Sequence, residues 1–320
     1  MDTFKDYYFV IIPALYTMFS LMLSIYEIGI IIKARIFPKN TYETVFASAF
    51  YQMYAIEAVF RGFLAIGYFI TCRLVLAPMF FETFNAMGEV YNFWTQFLPI
   101  SMYYCGYVCQ CINLAMTLNR FSAFWIVSYT TFWKRHLWWI MSVAIAVPMV
   151  PTAFQWQYHY SIFKYRDESI AWDHRINPTW GVNYSDSAMF LLTSVPTLIL
   201  NVVIIKKIMV NRLLRSITPA VEIRLWILTA ITFGLMSMGT VSKLIFIVPE
   251  FDLHYVYIMY AQNVIFDVTV LGPSWFLLWT SKTFRSEVMG PVTFARAATN
   301  KVYPDRRLFN GQLSIVNVGP

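Results

Sequence analysis

Residues Gln96–Phe121 read QFLPISMYYCGYVCQCINLAMTLNRF. No side chain from Phe97 to Leu118 carries a charge, and the run closes on Asn119-Arg120-Phe121. A helix of about 20 residues crosses the hydrocarbon of a bilayer. The stretch therefore reads as a membrane span with Arg120 where the helix leaves the lipid. Outward from it, six further apolar runs cover about Tyr8–Ile32, Val45–Ile70, Leu137–Trp156, Asp186–Ile205, Leu225–Val248 and Tyr255–Thr280. The expected fold is an all-α membrane protein, a bundle of seven transmembrane helices. Residues 1–280 form the bundle, and 281–320 form a polar tail that opens with a short amphipathic helix, its Phe284 and Val288 toward lipid, and is disordered beyond it.

Composition agrees with that class. The chain has 320 residues, 58% hydrophobic and 13% charged, against about 25% charged in soluble domains. Aromatics make up 19%, with 11 Trp and 21 Tyr, side chains that favour the headgroup zone. The net charge of +7 does not indicate nucleic acid, because the basic residues gather in short segments between apolar runs. The acidic start, Asp2 to Asp6, and the long run after it read as a retained first span rather than a cleaved signal.

Most of the 24 Lys and Arg fall on one side of the bundle. They are Lys33, Arg35 and Lys39, then Arg120, Lys134 and Arg135, then Lys206, Lys207, Arg212, Arg215 and Arg224, and those of the tail. The other side holds Lys5, Arg73, Lys164, Arg166 and Arg175. The positive-inside rule puts the richer side in the cytoplasm, so the N-terminus is expected outside and the C-terminus inside. Asn183-Tyr184-Ser185 is a glycosylation sequon in the outer loop before the fifth span.

Arg120 has two readings. It snorkels to the headgroups from the end of its helix, or it is a switch, held at rest and released to meet a cytosolic partner. Its neighbours bear on the choice. Leu118-Asn119-Arg120-Phe121 at the end of the third span resembles the nematode serpentine chemoreceptors of the Srg superfamily, classes gamma and V. Ser122-Ala123-Phe124-Trp125 and Tyr129-Thr130-Thr131-Phe132-Trp133-Lys134 resemble that family's second inner loop, and Gly272-Pro273-Ser274-Trp275-Phe276-Leu277-Leu278 its seventh span. The resemblance implies a seven-span receptor in the plasma membrane of sensory neurons, binding a small molecule and coupled to a heterotrimeric G protein. Asn119, Arg120, Phe121, Lys206, Lys207, Arg212 and Arg215 would then face the G protein, with Pro196 and Pro273 as hinges. Asn119 stands where rhodopsin-like receptors carry an acid, so an acid–Arg lock inside the motif is excluded.

Four charged or polar residues within spans are expected to face the bundle interior as a buried network: Glu57, Arg61, Asn263 and Asp267. Glu57 and Arg61 are four apart, on one helix face and in the favourable order for an ion pair. The network is helix-packing glue or a ligand contact; Glu27 and Lys243 lie nearer span ends and snorkel. An aromatic ligand pocket is expected from Met102, Tyr103, Tyr104, Tyr107, Met259 and Tyr260. Cys72 and Cys105 are a candidate bridge, against free buried thiols. No metal or cofactor is expected, and no HExxH or Gly-x-Ser-x-Gly occurs to suggest an enzyme. The rival reading is a transporter or channel subunit using Glu57, Arg61 and Asp267 as a relay.

Overall fold

The structure is a computed structural model. It describes residues 2–36, 48–76, 80, 82–84, 86, 93–126, 128–156, 160–164, 170–174, 182–210, 220–244, 255–280 and 284–285. Side chains within the long helices are described at 10–36, 48–75, 93–126, 128–156, 187–207, 226–238 and 261–279. Met1–Thr280 form one compact unit and Ser281–Pro320 another.

Apolar runs in a bilayer become helices because lipid offers no partner to a backbone N–H or C=O. Seven long helices are described: α1 Asp2–Ile36, α2 Ala49–Tyr68, α3 Phe93–Trp125, α4 Tyr129–Gln155, α5 Val182–Val210, α6 Ala220–Leu244 and α7 Tyr255–Thr280. In α4, Tyr129–Ala146 and Met149–Gln155 are separate segments meeting at Val147-Pro148. Proline denies the helix a donor at both Pro148 and Pro151, and the Thr152 hydroxyl donates to the Pro148 carbonyl at 2.8 Å.

α1 packs on α2 and α7, α2 on α3, α4 and α7, α5 on α6, and α6 on α7. α3 touches α2, α4, α5 and α6. Hydrogen bonds cross several of these seams. Thr193 of α5 donates to Gln110 of α3 at 3.2 Å, Trp226 of α6 to Asn201 of α5 at 3.0 Å, and Thr269 of α7 to the Leu235 carbonyl of α6 at 3.1 Å.

Among the described residues, four helical stretches are both long and apolar enough to cross a membrane: Val10–Ile36, Ala49–Arg73, Tyr129–Gln155 and Ser187–Lys207. α3, from which the fold was read, is not among them. Its buried face carries Gln96, Asn113, Thr117, Asn119 and Arg120. A helix walled by four others need not match lipid, so it can hold polar groups that a peripheral helix cannot.

Four expectations are corrected. Ser122–Lys134 is not an open loop, because α3 continues to Trp125 and α4 begins at Tyr129. The Trp133 indole donates to Ser122 Oγ at 2.6 Å across that short connection. The all-α expectation also missed a hairpin in the segment before α5. Strands β1 (Tyr160–Lys164) and β2 (Ile170–His174) pair antiparallel, Tyr160 opposite His174 and Lys164 opposite Ile170. β1 lies against α3, and β2 against the turn that follows α2. Asn183 falls within the first turn of α5 rather than in a loop. In the tail, Phe284 is buried instead of facing lipid, and Val288 lies outside the described residues.

Candidate functional site

Polar and charged side chains are buried at three levels of the bundle. At the end of α3, Arg120 is 2% exposed. Its Nη2 donates to Asn119 Oδ1 at 2.8 Å, and its guanidinium lies 4.3 Å from the centre of the Phe50 ring on α2. A snorkelling arginine would send its charge to water; this one is folded back onto a neighbouring helix. Phe121 stacks on Trp125 at 4.2 Å. Lys207, near the end of α5, donates to the Phe124 carbonyl at 2.6 Å and sits 3.9 Å from the centre of the Trp125 ring. It therefore holds the end of α3 by a cation at a helix C-terminus and by a cation–π contact. Lys206 is exposed beside it, and Arg212 and Arg215 lie outside the described residues.

In the middle of the bundle, Tyr54 joins α2 to α1 and α7. Its hydroxyl donates to Glu27 Oε2 at 2.8 Å and lies 3.4 Å from Ser274 Oγ. Arg61 sits over the Tyr54 ring at 4.9 Å and pairs with Glu57 at 3.9 Å between Nε and Oε1. Ser274 also shares a hydrogen bond with Ser24 at 2.8 Å, and Trp275 donates to Ser20 Oγ at 2.8 Å. The Ser274-Trp275 pair beside Pro273 thus ties α7 to α1. Glu27 is buried, not snorkelling. Lys243 lies outside the described side chains.

At the hairpin end, Asp267 of α7 pairs with Arg73 and accepts from the Tyr16 hydroxyl of α1. Arg73 also donates to the Tyr16 oxygen at 3.0 Å and to the Asn263 carbonyl at 3.2 Å. The Tyr68 hydroxyl donates to Asn263 Oδ1 at 2.6 Å, and its ring stacks on Phe266 at 3.5 Å. Three helices are cross-linked by these contacts.

The expected single network is therefore two. Glu57 and Arg61 belong to the middle cluster, Asn263 and Asp267 to the hairpin end. Arg73, assigned to an outer loop from the sequence, is buried and supplies the cation for Asp267. The reason is backbone geometry. Residues Phe69–Arg73 form a π-helical turn. With 3.6 residues per turn, an unbroken α-helix would put Arg73 roughly 140° around from Tyr68. The widened turn returns it to the same face, a device common at functional sites. A sequence signal for the other partners existed: Tyr54, Glu57, Arg61 and Tyr68 follow a three-to-four spacing down one face of α2.

A small cavity, large enough for about one water molecule, opens between α1, α2 and α7, lined by Thr17, Ala65, Tyr68, Arg73, Phe266 and Asp267 among others. None of the expected pocket residues lines it. Met102 and Tyr104 pack against the cluster of Leu64, Ala65, Cys105, Val270 and Leu271, and the Tyr104 hydroxyl donates to the Ile145 carbonyl of α4 at 3.1 Å. Tyr103 and Tyr107 stand together, ring centres 6.3 Å apart, with Gln155 donating to the Tyr107 hydroxyl at 3.1 Å. The side chains of Met259 and Tyr260 lie outside the described residues. Cys72 and Cys105 are free thiols, so the candidate bridge is not formed. Pro196 and Pro273 lie inside α5 and α7. Among the described residues, no group of three His, Cys, Asp or Glu could hold a metal.

No curated protein matches the chain. A family model described as "Srg family chemoreceptor" matches residues 10–288. The match runs from α1 through α7 and includes the Asn119-Arg120-Phe121 and Gly272-Pro273-Ser274-Trp275 motifs. The chain belongs to the Srg family of serpentine chemoreceptors, multi-pass membrane proteins of the GPCR-like sensory type.

Proposed function

We propose that the protein is a G-protein-coupled chemosensory receptor of the plasma membrane of sensory neurons. Its seven helices all span the membrane, with the N-terminus outside and the 281–320 tail in the cytoplasm. The observation that carries the proposal is Arg120, which is buried against Phe50 instead of reaching for water, in a chain of a chemoreceptor family. A cation packed on a ring at the end of a helix is placed where a helix movement can release it. Ligand binding from the outer side shifts a two-state bundle toward the form that frees it.

In that form Asn119, Arg120, Phe121, Lys206 and Lys207, with Arg212 and Arg215 of the following linker, meet the G protein. Pro196 and Pro273 are the hinges, and Asn183 carries a glycan outside. The ligand is a small organic molecule received near Tyr103 and Tyr107, with Met102, Tyr104, Met259 and Tyr260 around it. The relay reading loses support because Asp267 pairs with Arg73 and Tyr16 while Glu57 and Arg61 engage Tyr54.

The test is expression with a G-protein reporter, screened against volatile and water-soluble chemicals. Arg120→Ala should silence the response at unchanged surface level; normal signalling by the variant would refute the switch. Tags on residues 1 and 320 in unpermeabilised cells test orientation. An exposed C-terminal tag with a hidden N-terminal one would invert the scheme.

A further inference from the structure

The basic side chains at the Arg120 end are not engaged alike. Lys207 already has a carbonyl and an indole. A second group stands between the ends of α1 and α4. Arg35, in the last turn of α1, reaches across so that its guanidinium lies 5.2 Å from the centre of the Trp138 ring on α4. Lys134 precedes Trp138 by four residues and so shares its helix face. Lys33, Arg35, Lys134 and Trp138 are all exposed. Both ion pairs among the described residues lie elsewhere, so none of these three cations has a carboxylate partner there. Segments 28–36 and 128–139 contain no Asp or Glu.

We propose that this cluster binds the headgroup of an anionic phospholipid. Arg35 stacked on an indole keeps its N–H fork free at the edge, the geometry that takes a phosphate by two parallel hydrogen bonds. Lys134 adds a mobile second charge. Trp138 supplies an amphipathic ring at the depth where glycerol meets the acyl chains. Uncompensated positive charge beside an exposed aromatic matches a lipid phosphate better than a protein partner, because the adjoining surface of α1 and α4 faces acyl chains. Phe19, Met22, Ile25, Ile32, Trp139 and Val143 are exposed there. The inference rests on the proposed orientation, which turns this end toward the leaflet where anionic lipids concentrate.

The experiment titrates the full-length protein, in neutral detergent, with phosphatidylinositol bisphosphate against phosphatidylcholine. Bound lipid is counted by native mass spectrometry. The wild type should bind the anionic lipid saturably. Arg35→Gln and Trp138→Leu should each weaken that binding about tenfold, the size of one lost charge-assisted contact. Lys206→Gln, an exposed lysine at the same end on α5, should leave it unchanged. Wild-type binding by Arg35→Gln overturns the site. So does an equal loss in Lys206→Gln, which would mean general surface attraction only. If Trp138→Leu fails to fold, Lys134→Gln replaces it, since that change removes an exposed side chain and no packing. Detergent binding does not depend on orientation, so the terminal tags can fail while the lipid site stands, or the reverse.

Discussion

The two ends of the bundle bury an arginine in different ways. At the hairpin end, Arg73 is paired with Asp267 and hydrogen-bonded to Tyr16 and Asn263, so three helices share one charge. At the other end, the contacts described for Arg120 are an amide one residue away and the face of Phe50. A buried ion pair is hard to break from one side, because the survivor is stranded in a medium that does not solvate it. The ring and the amide that hold Arg120 are contacts that weaken with a small shift of the helix end. The first arrangement fits a clamp and the second a release, which is the division of labour a receptor needs if one end is to hold shape while the other moves.

The strongest way to break this comparison is Asp267→Ala. It leaves Arg73 buried without its counter-charge and should cost about 3 kcal/mol of stability, toward the lower limit for a buried pair because Asp267 is 18% exposed. Thermal unfolding of the purified protein measures it, and Arg73→Met in the same chain should recover part of the loss. If Asp267→Ala unfolds at the wild-type temperature, the clamp is not a clamp. Arg120→Ala should lower the signalling response about tenfold or more, within the usual range of coupling energies, yet cost less stability than Asp267→Ala. An equal fall in the melting temperatures of the two variants would erase the distinction drawn between the two ends.

Smaller changes sharpen it. Tyr68→Phe keeps the ring, removes the hydrogen bond to Asn263 and should cost about 1 kcal/mol. Lys207→Met removes the contact between α5 and the end of α3 and should cost about 0.5 to 1 kcal/mol. Because that contact sits on the releasing end, its loss should also raise the ligand-free reporter signal. A lowered basal signal would mean that the contact of Lys207 with the G protein outweighs its hold on the end of α3.

Much of this arrangement can be read along the chain. Seven apolar runs of spanning length became seven long helices, and the seventh matched at both limits, Tyr255–Thr280. The boundaries that moved were those where a helix outlasts its apolar run. α3 and α4 extend through Ser122–Lys134 because Trp133 and Ser122 bond to each other there, a contact that hydropathy does not register. Glu57 and Arg61 were legible as a pair because four residues is a helical repeat. Asp267 was legible as a buried acid, but its partner was not, since the two lie 194 residues apart and a π-helical turn rotates Arg73 onto the right face.

From its residues alone, this chain reads as a multi-pass membrane protein with Arg120 at the close of its third apolar run, because charge-free runs of that length are stable as helices in lipid. Which acid meets which base, and whether an arginine points to water or to a ring, depended on how separate helices were brought side by side. Hydropathy is a local property of the chain, whereas ion pairs and cation–π contacts are set by the spacing and rotation of neighbouring helices, and those exist only once the bundle has assembled.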